Sequence, residues 1–227
     1  MDPIANPIVP RRNALQGSWP PVWAPDHGED AMSAVDAALA LAVPLNASDH
    51  MLGPADAPVT VIEYGDFECP ASFEAYRAMK LLHAHYGRRM LYAFRHLPLT
   101  ELHPHAGYAA EAAEAAGAQG KFWEMHDQLF DHREHLNPCR LPGFAEELEL
   151  DMPRFDFELR HRLHRQRIGE HVAGGRLSGA RSTPAFFVDG VPVDVAVGMK
   201  RLLEAIDLCL HLRAQPQVRA RQARANR

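Results

Sequence analysis

Cysteine is scarce in this chain: Cys69, Cys139 and Cys209 are the three in 227 residues. Three thiols cannot all pair and make no disulfide framework, so the reading is of a reducing, cytoplasmic compartment. Long apolar runs are also missing. None approaches the ~18 residues a membrane-spanning helix requires, so no membrane span is expected. Neither sign of charge dominates, with 24 Lys and Arg against 29 Asp and Glu and a net charge of −5, which argues against nucleic acid as the main partner. Arg11-Arg12 has the spelling of an export signal, but the segment after it, Gln16–Asp30, is polar and proline-rich where such a signal needs an apolar stretch. Fourteen histidines are present without a His-Glu-x-x-His or Cys/His zinc spacing. His103, His105, His126, His132 and His135 therefore read as solvated or helix-capping side chains, with no metal site.

What is there is the composition of a globular protein, 47% hydrophobic and 23% charged. Residues 1–48 read as an N-terminal extension, partly flexible, using Trp19 and Trp23 as anchors and carrying one helix over Glu29–Val43 that Pro44 ends. Residues 49–102 begin with a turn-rich lead-in, Leu52–Pro58. A β-branched strand follows over Val59–Tyr64, then a helix over Cys69–Tyr86 closed by Gly87, then an alternating strand over Arg89–His96. From 103 to 178 the pattern is helical throughout: His105–Ala118, Gly120–His135, Phe144–Leu150 and Pro153–Ile168. Strand chemistry resumes in 179–212, where Phe186–Val188 and Val191–Val195 flank Asp189-Gly190, a strong hairpin signal, and Met199–Leu212 forms a closing helix. Residues 213–227 hold five arginines and no acids and read as a basic flexible tail. The order is βαβ, helical block, ββα, an α/β architecture with an inserted all-helical subdomain.

The stretch that carries chemistry is Val59–Ser72, a buried strand, a short polar turn and a cysteine at the mouth of a helix. Helix-terminal N–H groups and the positive end of the dipole favour thiolate over thiol, which is how a cysteine becomes a nucleophile. Pro70 suits the first helical turn. The turn is expected to leave the Cys69 sulfur at the surface, and Asp66 and Glu68 free to turn toward solvent. Glu63 stands inside an otherwise apolar strand, where a carboxylate is costly without a partner or a purpose.

Glu63-Tyr64-Gly65-Asp66-Phe67-Glu68-Cys69-Pro70 resembles the DsbA-like branch of the thioredoxin superfamily, above all the cytoplasmic-type members related to the domain fused to sodium/proton antiporters. Arg95-His96-Leu97-Pro98-Leu99-Thr100, His103-Pro104-His105-Ala106, Phe122-Trp123 and Ser182-Thr183-Pro184-Ala185-Phe186-Phe187 extend the likeness from about Met51 to Ile206. The resemblance implies a thioredoxin-like fold and thiol–disulfide oxidoreductase activity, with Cys69 as the attacking cysteine and Glu63 as a proton acceptor behind it. It also implies that Pro70 and Ala71 line the substrate site, and that Thr183-Pro184 is an opposing cis-proline loop whose free backbone groups pair with substrate. His96 and His103 would stand near that cleft.

The chain departs from the pattern at Ala71 and Ser72, where the family has an aromatic or histidine and a second cysteine. Ser72 cannot resolve a mixed disulfide; its hydroxyl, one turn from Cys69, is placed to donate a hydrogen bond to the thiolate. The expectation is a monothiol exchanger acting on protein or small-molecule disulfides without a bound cofactor. Glutathione as co-substrate, or Cys139 or Cys209, would resolve it. The alternatives are a redox-silent peptide- or protein-binding module and a glutathione transferase- or isomerase-like enzyme. The N-terminal helix and arginine tail admit a homodimer.

Overall fold

The computed structural model describes residues 40–225, with side chains through Gln215. Most of the helix expected over Glu29–Val43, and the Trp19 and Trp23 anchors, lie outside the described residues. The part inside, 40–43, is bent rather than helical.

Five strands form one sheet in the order β1-β3-β2-β4-β5. β2 (Val59–Gly65) and β3 (Met90–His96) run parallel and are joined by α1 (Pro70–Tyr86). β1 (His50–Leu52) pairs antiparallel with β3, β4 (Ala185–Val188) with β2, and β5 (Val191–Val193) with β4. β1 was not expected and ends at Leu52, where the stretch read as a lead-in begins; at three residues it is too short to show a period. The hairpin forms at Asp189-Gly190, whose φ angles of 48° and 84° match the positive-φ pair of a two-residue turn.

Nearly every residue of β2 and all of β3 are buried, because both faces of these central strands are covered. On one face Val59, Val61, Tyr92 and Phe94 meet the buried stripe of α1 (Ala75, Tyr76, Met79, Leu82, Tyr86) at helical spacing. On the other face Ile62, Tyr64, Ala93 and Phe187 pack beneath Val172. The alternation expected for β3 is present, with Met90, Tyr92 and Phe94 in the main core and Ala93 in the cluster on the other face, and two-sided burial takes in both sets, Arg95 included. Arg95 is fully enclosed. It bonds both oxygens of Asp49 at 2.8 Å, the carbonyls of Val43 and Pro44 at 2.7 and 2.9 Å, and the Tyr64 hydroxyl at 2.9 Å. These bonds fasten the 43–49 segment across the sheet.

Between β3 and β4 lie α2 (Ala106–Gly117), α3 (Phe122–Asp131), α4 (Leu141–Glu147), α5 (Met152–Arg160) and α6 (Arg165–Leu177). α2 is buried on almost every side, and its alanines let α3, α5 and α6 approach closely. Its two buried acids are paired, Glu111 to Arg162 at 2.6 Å and Glu114 to Arg167 at 2.8 Å. The single helix expected over Pro153–Ile168 is two. The chain turns at Arg162 (φ 55°), whose guanidinium is held by Glu111 and sits 4.5 Å over the Tyr108 ring. α6 meets the sheet through Gly175, where an added Cβ would come within 2.9 Å of the Tyr64 ring.

The closing helix α7 (Lys200–Ala225) continues well past the expected end at Leu212, so the backbone of the stretch read as a flexible tail is helical to Ala225. Leu202 and Ile206 anchor its first turns in the main core. Among the described residues no helix is long and apolar enough to cross a membrane.

Candidate active site

β2 ends at Gly65, where an added Cβ would strike the Phe94 ring at 2.4 Å, so the strand can pass this close only as glycine. The next three residues turn the chain into α1. Phe67 pins the turn by packing between Phe94 (5.2 Å between ring centroids) and Phe130 (5.0 Å). Cys69 is the N-cap of α1 in an extended conformation, followed by Pro70 in the first turn, and its carbonyl accepts the first helical bond from Phe73 N–H at 3.1 Å.

The sulfur is not at the surface, as the turn alone suggested. Cys69 is 6% exposed, and its thiol donates to the carbonyl of Thr183 at 3.3 Å. The Thr183–Pro184 peptide is cis. Sequence position 183 is thus brought over position 69 by the antiparallel pairing of β4 with β2. The Thr183 carbonyl, expected to be free, is occupied by the thiol, whereas the buried Thr183 hydroxyl has no partner among the described residues.

Asp66 and Glu68 do not turn to solvent. Asp66 is buried; one oxygen accepts from Glu68 N–H at 2.9 Å, the other from Leu99 N–H and His103 Nδ1 at 2.8 Å each. Glu68 accepts from His105 N–H at 2.8 Å. The two acids clamp the cysteine turn to the segment after β3. His103 therefore reaches the turn through Asp66, while His96 is drawn away to Glu114 at 3.0 Å. The sequence does not reveal this clamp because its partners, Leu99, His103 and His105, lie 33 to 37 residues away.

Ser72 is fully buried, and its oxygen accepts the N–H of Asp66 at 3.3 Å, so its recorded partner is the turn and not the Cys69 sulfur. Glu63 lies on β2 two residues before Gly65, buried, with Tyr92 donating to one carboxylate oxygen at 2.7 Å and the other oxygen unpartnered among the described residues. Burial pushes its carboxyl up to about 8, against the opposing effect of the Tyr92 hydrogen bond. Burial and the adjacent Glu63 push the Tyr92 phenol well above its ordinary value.

Beside the thiol opens a groove of about 700 Å³. Ala71 and Ala75 of α1 form one wall; Pro184, Phe186, Val193 and Val195 form much of the other. Glu74, Arg181 and Asp194 supply its charges. Of the residues assigned to the site from sequence, Ala71, Thr183 and Pro184 line this groove. Cys139 is exposed on the loop before α4, and Cys209 is half-buried against the main core.

His126, read as solvated or helix-capping, is buried, and so is His96, which was expected near the cleft. His96, Glu114 and His171 bring ligand-type atoms within 4.8 Å of one another. Glu114 is already shared by His96 and His50, at 3.0 Å each, and by the Arg167 guanidinium at 2.8 Å. Burial alone would raise Glu114, but the His50 and His96 hydrogen bonds hold it far below the usual range. Burial lowers His96 despite the Glu114 bond, and lowers His171 to about 3. A guanidinium stands where a cation would add charge, so the cluster fits an ion-pair network tying α2, α6 and the sheet together.

Residues 45–208 match the family model described as thioredoxin. The Na(+)/H(+) antiporter NhaA 1 of Salinispora arenicola is 53% identical over 142 residues, 63% of this chain and 22% of its own length. NhaA 3 of Salinispora tropica is 47% identical over 160 residues, 70% of this chain and 24% of its own length. The chain thus spans about a quarter of these relatives. Among solved structures, oxidised BdbD of Bacillus subtilis superposes with a TM-score of 0.65 at 20% identity, covering 72% of this chain and 93% of that one. DsbA2 of Pseudomonas aeruginosa does so with a TM-score of 0.59 at 29% identity, covering 73% and 96%. The match takes in the sheet, the cysteine turn, the inserted helices and the start of the closing helix, and the chain belongs to the thioredoxin family, in its DsbA-like branch.

Proposed function

We propose that this chain is a thiol–disulfide oxidoreductase acting as a monothiol exchanger through Cys69, with glutathione as the resolving thiol. The observation that carries the reading is the seat of the sulfur, at the N-cap of α1, against Thr183 and beside a mostly apolar groove of about 700 Å³. In the forward step the Cys69 thiolate attacks the glutathione sulfur of a mixed disulfide. A Cys69–glutathione disulfide forms, and the substrate sulfur leaves as a thiolate and takes a proton. A second glutathione thiolate then attacks the bound glutathione sulfur, releasing glutathione disulfide and restoring Cys69. Pro70, Ala71, Thr183 and Pro184 contact the substrate. Glu63, whose carboxyl keeps its proton up to about pH 8, is the group behind the site able to exchange one near neutrality. The three unpaired cysteines suit a reducing cytosol.

The test is glutathione-dependent reduction of a small glutathione mixed disulfide. Turnover is expected in the wild type and in Cys139→Ser and Cys209→Ser, and none in Cys69→Ser. Turnover surviving in Cys69→Ser, or absent from the wild type, overturns the reading.

A second reading, a redox-silent module that binds extended peptides in the groove, is favoured by the burial of Cys69 and by Ser72 at the second motif position. Peptide capture unchanged by Cys69→Ala, together with no glutathione turnover, would select it.

A further inference from the structure

The turn that carries Cys69 is closed by its own main chain and fastened from outside by three bonds. Inside it, Cys69 N–H donates to the Asp66 carbonyl at 3.1 Å and Glu68 N–H to Asp66 Oδ1 at 2.9 Å. From the segment after β3, Leu99 N–H and His103 Nδ1 each reach Asp66 Oδ2 at 2.8 Å. His105 N–H reaches the Glu68 carboxylate at the same distance, 2.8 Å. The Cys69 sulfur, on this turn, meets the Thr183 carbonyl at 3.3 Å. The fastening on the β3 side and the loop at Thr183 therefore act on one short piece of chain.

The three external bonds are not alike. Two come from the main-chain N–H groups of Leu99 and His105, which any residue but proline supplies. The third comes from a side chain, so at His103 the identity of the residue enters the fastening. An ionised carboxylate only accepts, so the Nδ1 that faces Asp66 carries the hydrogen. The Asp66 side chain has no exposed surface, and His103 is its one ion-pair partner among the described residues. Without the imidazole the buried oxygen keeps a single donor, Leu99 N–H, and the turn relaxes toward a position that lowers that cost.

Disulfide exchange is sensitive to such a movement. The attacking sulfur has to approach along the bond that breaks, and misplacing a reacting group by about 1 Å costs on the order of 100-fold in rate. We propose that His103 is a positioning residue for exchange at Cys69, holding the cysteine turn in register with Thr183 through its hydrogen bond to Asp66. This role rests on the monothiol activity of Cys69. His103 is not among the residues lining the groove, so its loss is felt in the chemical step and not in substrate binding.

The test compares kcat and KM for glutathione-dependent reduction of a small glutathione mixed disulfide by the full chain. Wild type, His103→Leu, His103→Gln and His103→Asn are measured below the thermal midpoint of each. In His103→Asn the amide nitrogen falls close to the place of Nδ1; in His103→Gln it falls near that of Nε2, and His103→Leu has no donor. In His103→Leu and His103→Gln, kcat is expected to fall about ten-fold or more with KM unchanged, and His103→Asn to restore most of it. Wild-type kcat in His103→Leu, a loss carried by KM alone, or His103→Asn as impaired as His103→Gln overturns the role of His103 and leaves the monothiol activity standing. No turnover in the wild type overturns that activity, and the role with it. Should His103→Leu fail to fold, His103→Gln against His103→Asn decides.

Discussion

The Cys69 thiol donates to the backbone carbonyl of Thr183 at 3.3 Å, while the Thr183 hydroxyl, on the same residue, is buried without a partner among the described residues. The loop thus engages the sulfur through its main chain and leaves a side-chain group unsatisfied. Thr183→Val keeps the shape and removes the hydroxyl, and is expected to raise stability by about 1 kcal/mol. Urea denaturation of the two proteins checks this; a loss of stability would show that the hydroxyl has a partner in the free protein.

Glu63 makes stability depend on pH. Its folded carboxyl is raised to about 8 from an ordinary value of 4.5, so between those values the folded state holds a proton that the unfolded state has released. The resulting destabilisation is absent below about pH 4.5, grows as pH rises, and levels off above about pH 8. Each unit in that window costs at most about 1.4 kcal/mol. Glu63→Gln is therefore expected to gain on the wild type as pH increases from about 5 to about 8. A constant difference across denaturation curves at several pH values would contradict it.

Arg95 and Asp49 form a buried bidentate pair that holds the 43–49 segment on the sheet. Removing one member strands the other charge. Arg95→Met is expected to cost about 3–5 kcal/mol. It should also expose the 43–49 segment to limited proteolysis, read by mass spectrometry of the first cleavage product.

Gly65→Ala would place a methyl 2.4 Å from the Phe94 ring, directly before the cysteine turn. Overpacking of this kind costs about 1–3 kcal/mol. Because the ring cannot give way without moving Phe67, the variant is also expected to lower Cys69 turnover at temperatures where it remains folded. Unchanged turnover would mean that the strand end and the thiol are mechanically independent.

Ser72→Cys would install a second thiol one helical turn from Cys69, where Cβ atoms are about 5–6 Å apart and small adjustments allow a disulfide. On oxidation, an intramolecular disulfide between Cys69 and the introduced thiol is expected, seen as a peptide mass two hydrogens lighter. The oxidised variant should then oxidise a substrate dithiol to its disulfide in a single turnover without glutathione, its own disulfide being reduced to two thiols. Failure to form the disulfide would place the buried Ser72 side chain out of reach of the sulfur.

The local elements were legible in the chain because their causes are local. The β-branched run of β2, Pro70 and Gly87 at the ends of α1, and Asp189-Gly190 at the hairpin each act through their own dihedrals or nearest hydrogen bonds. The family motif likewise spoke through short contiguous stretches, and the fold brings its Cys69 and Thr183-Pro184 face to face. What a single sequence could not reveal is which buried polar groups find one another. Asp66 meets His103, Glu68 meets the His105 amide, Arg95 meets Asp49, and Glu63 meets Tyr92 across separations of 29 to 46 residues. In sequence Asp66 and Glu68 look like acids free to turn to solvent, and Glu63 like a carboxylate in an apolar strand with no partner named. Folding brings them together by stacking β3 against β2 and laying α2 over the sheet. The burial of the Cys69 sulfur is of the same kind, since the loop that covers it arrives from 114 residues away. Local spacing sets the backbone of the cysteine turn; only long-range packing sets which atoms the sulfur meets.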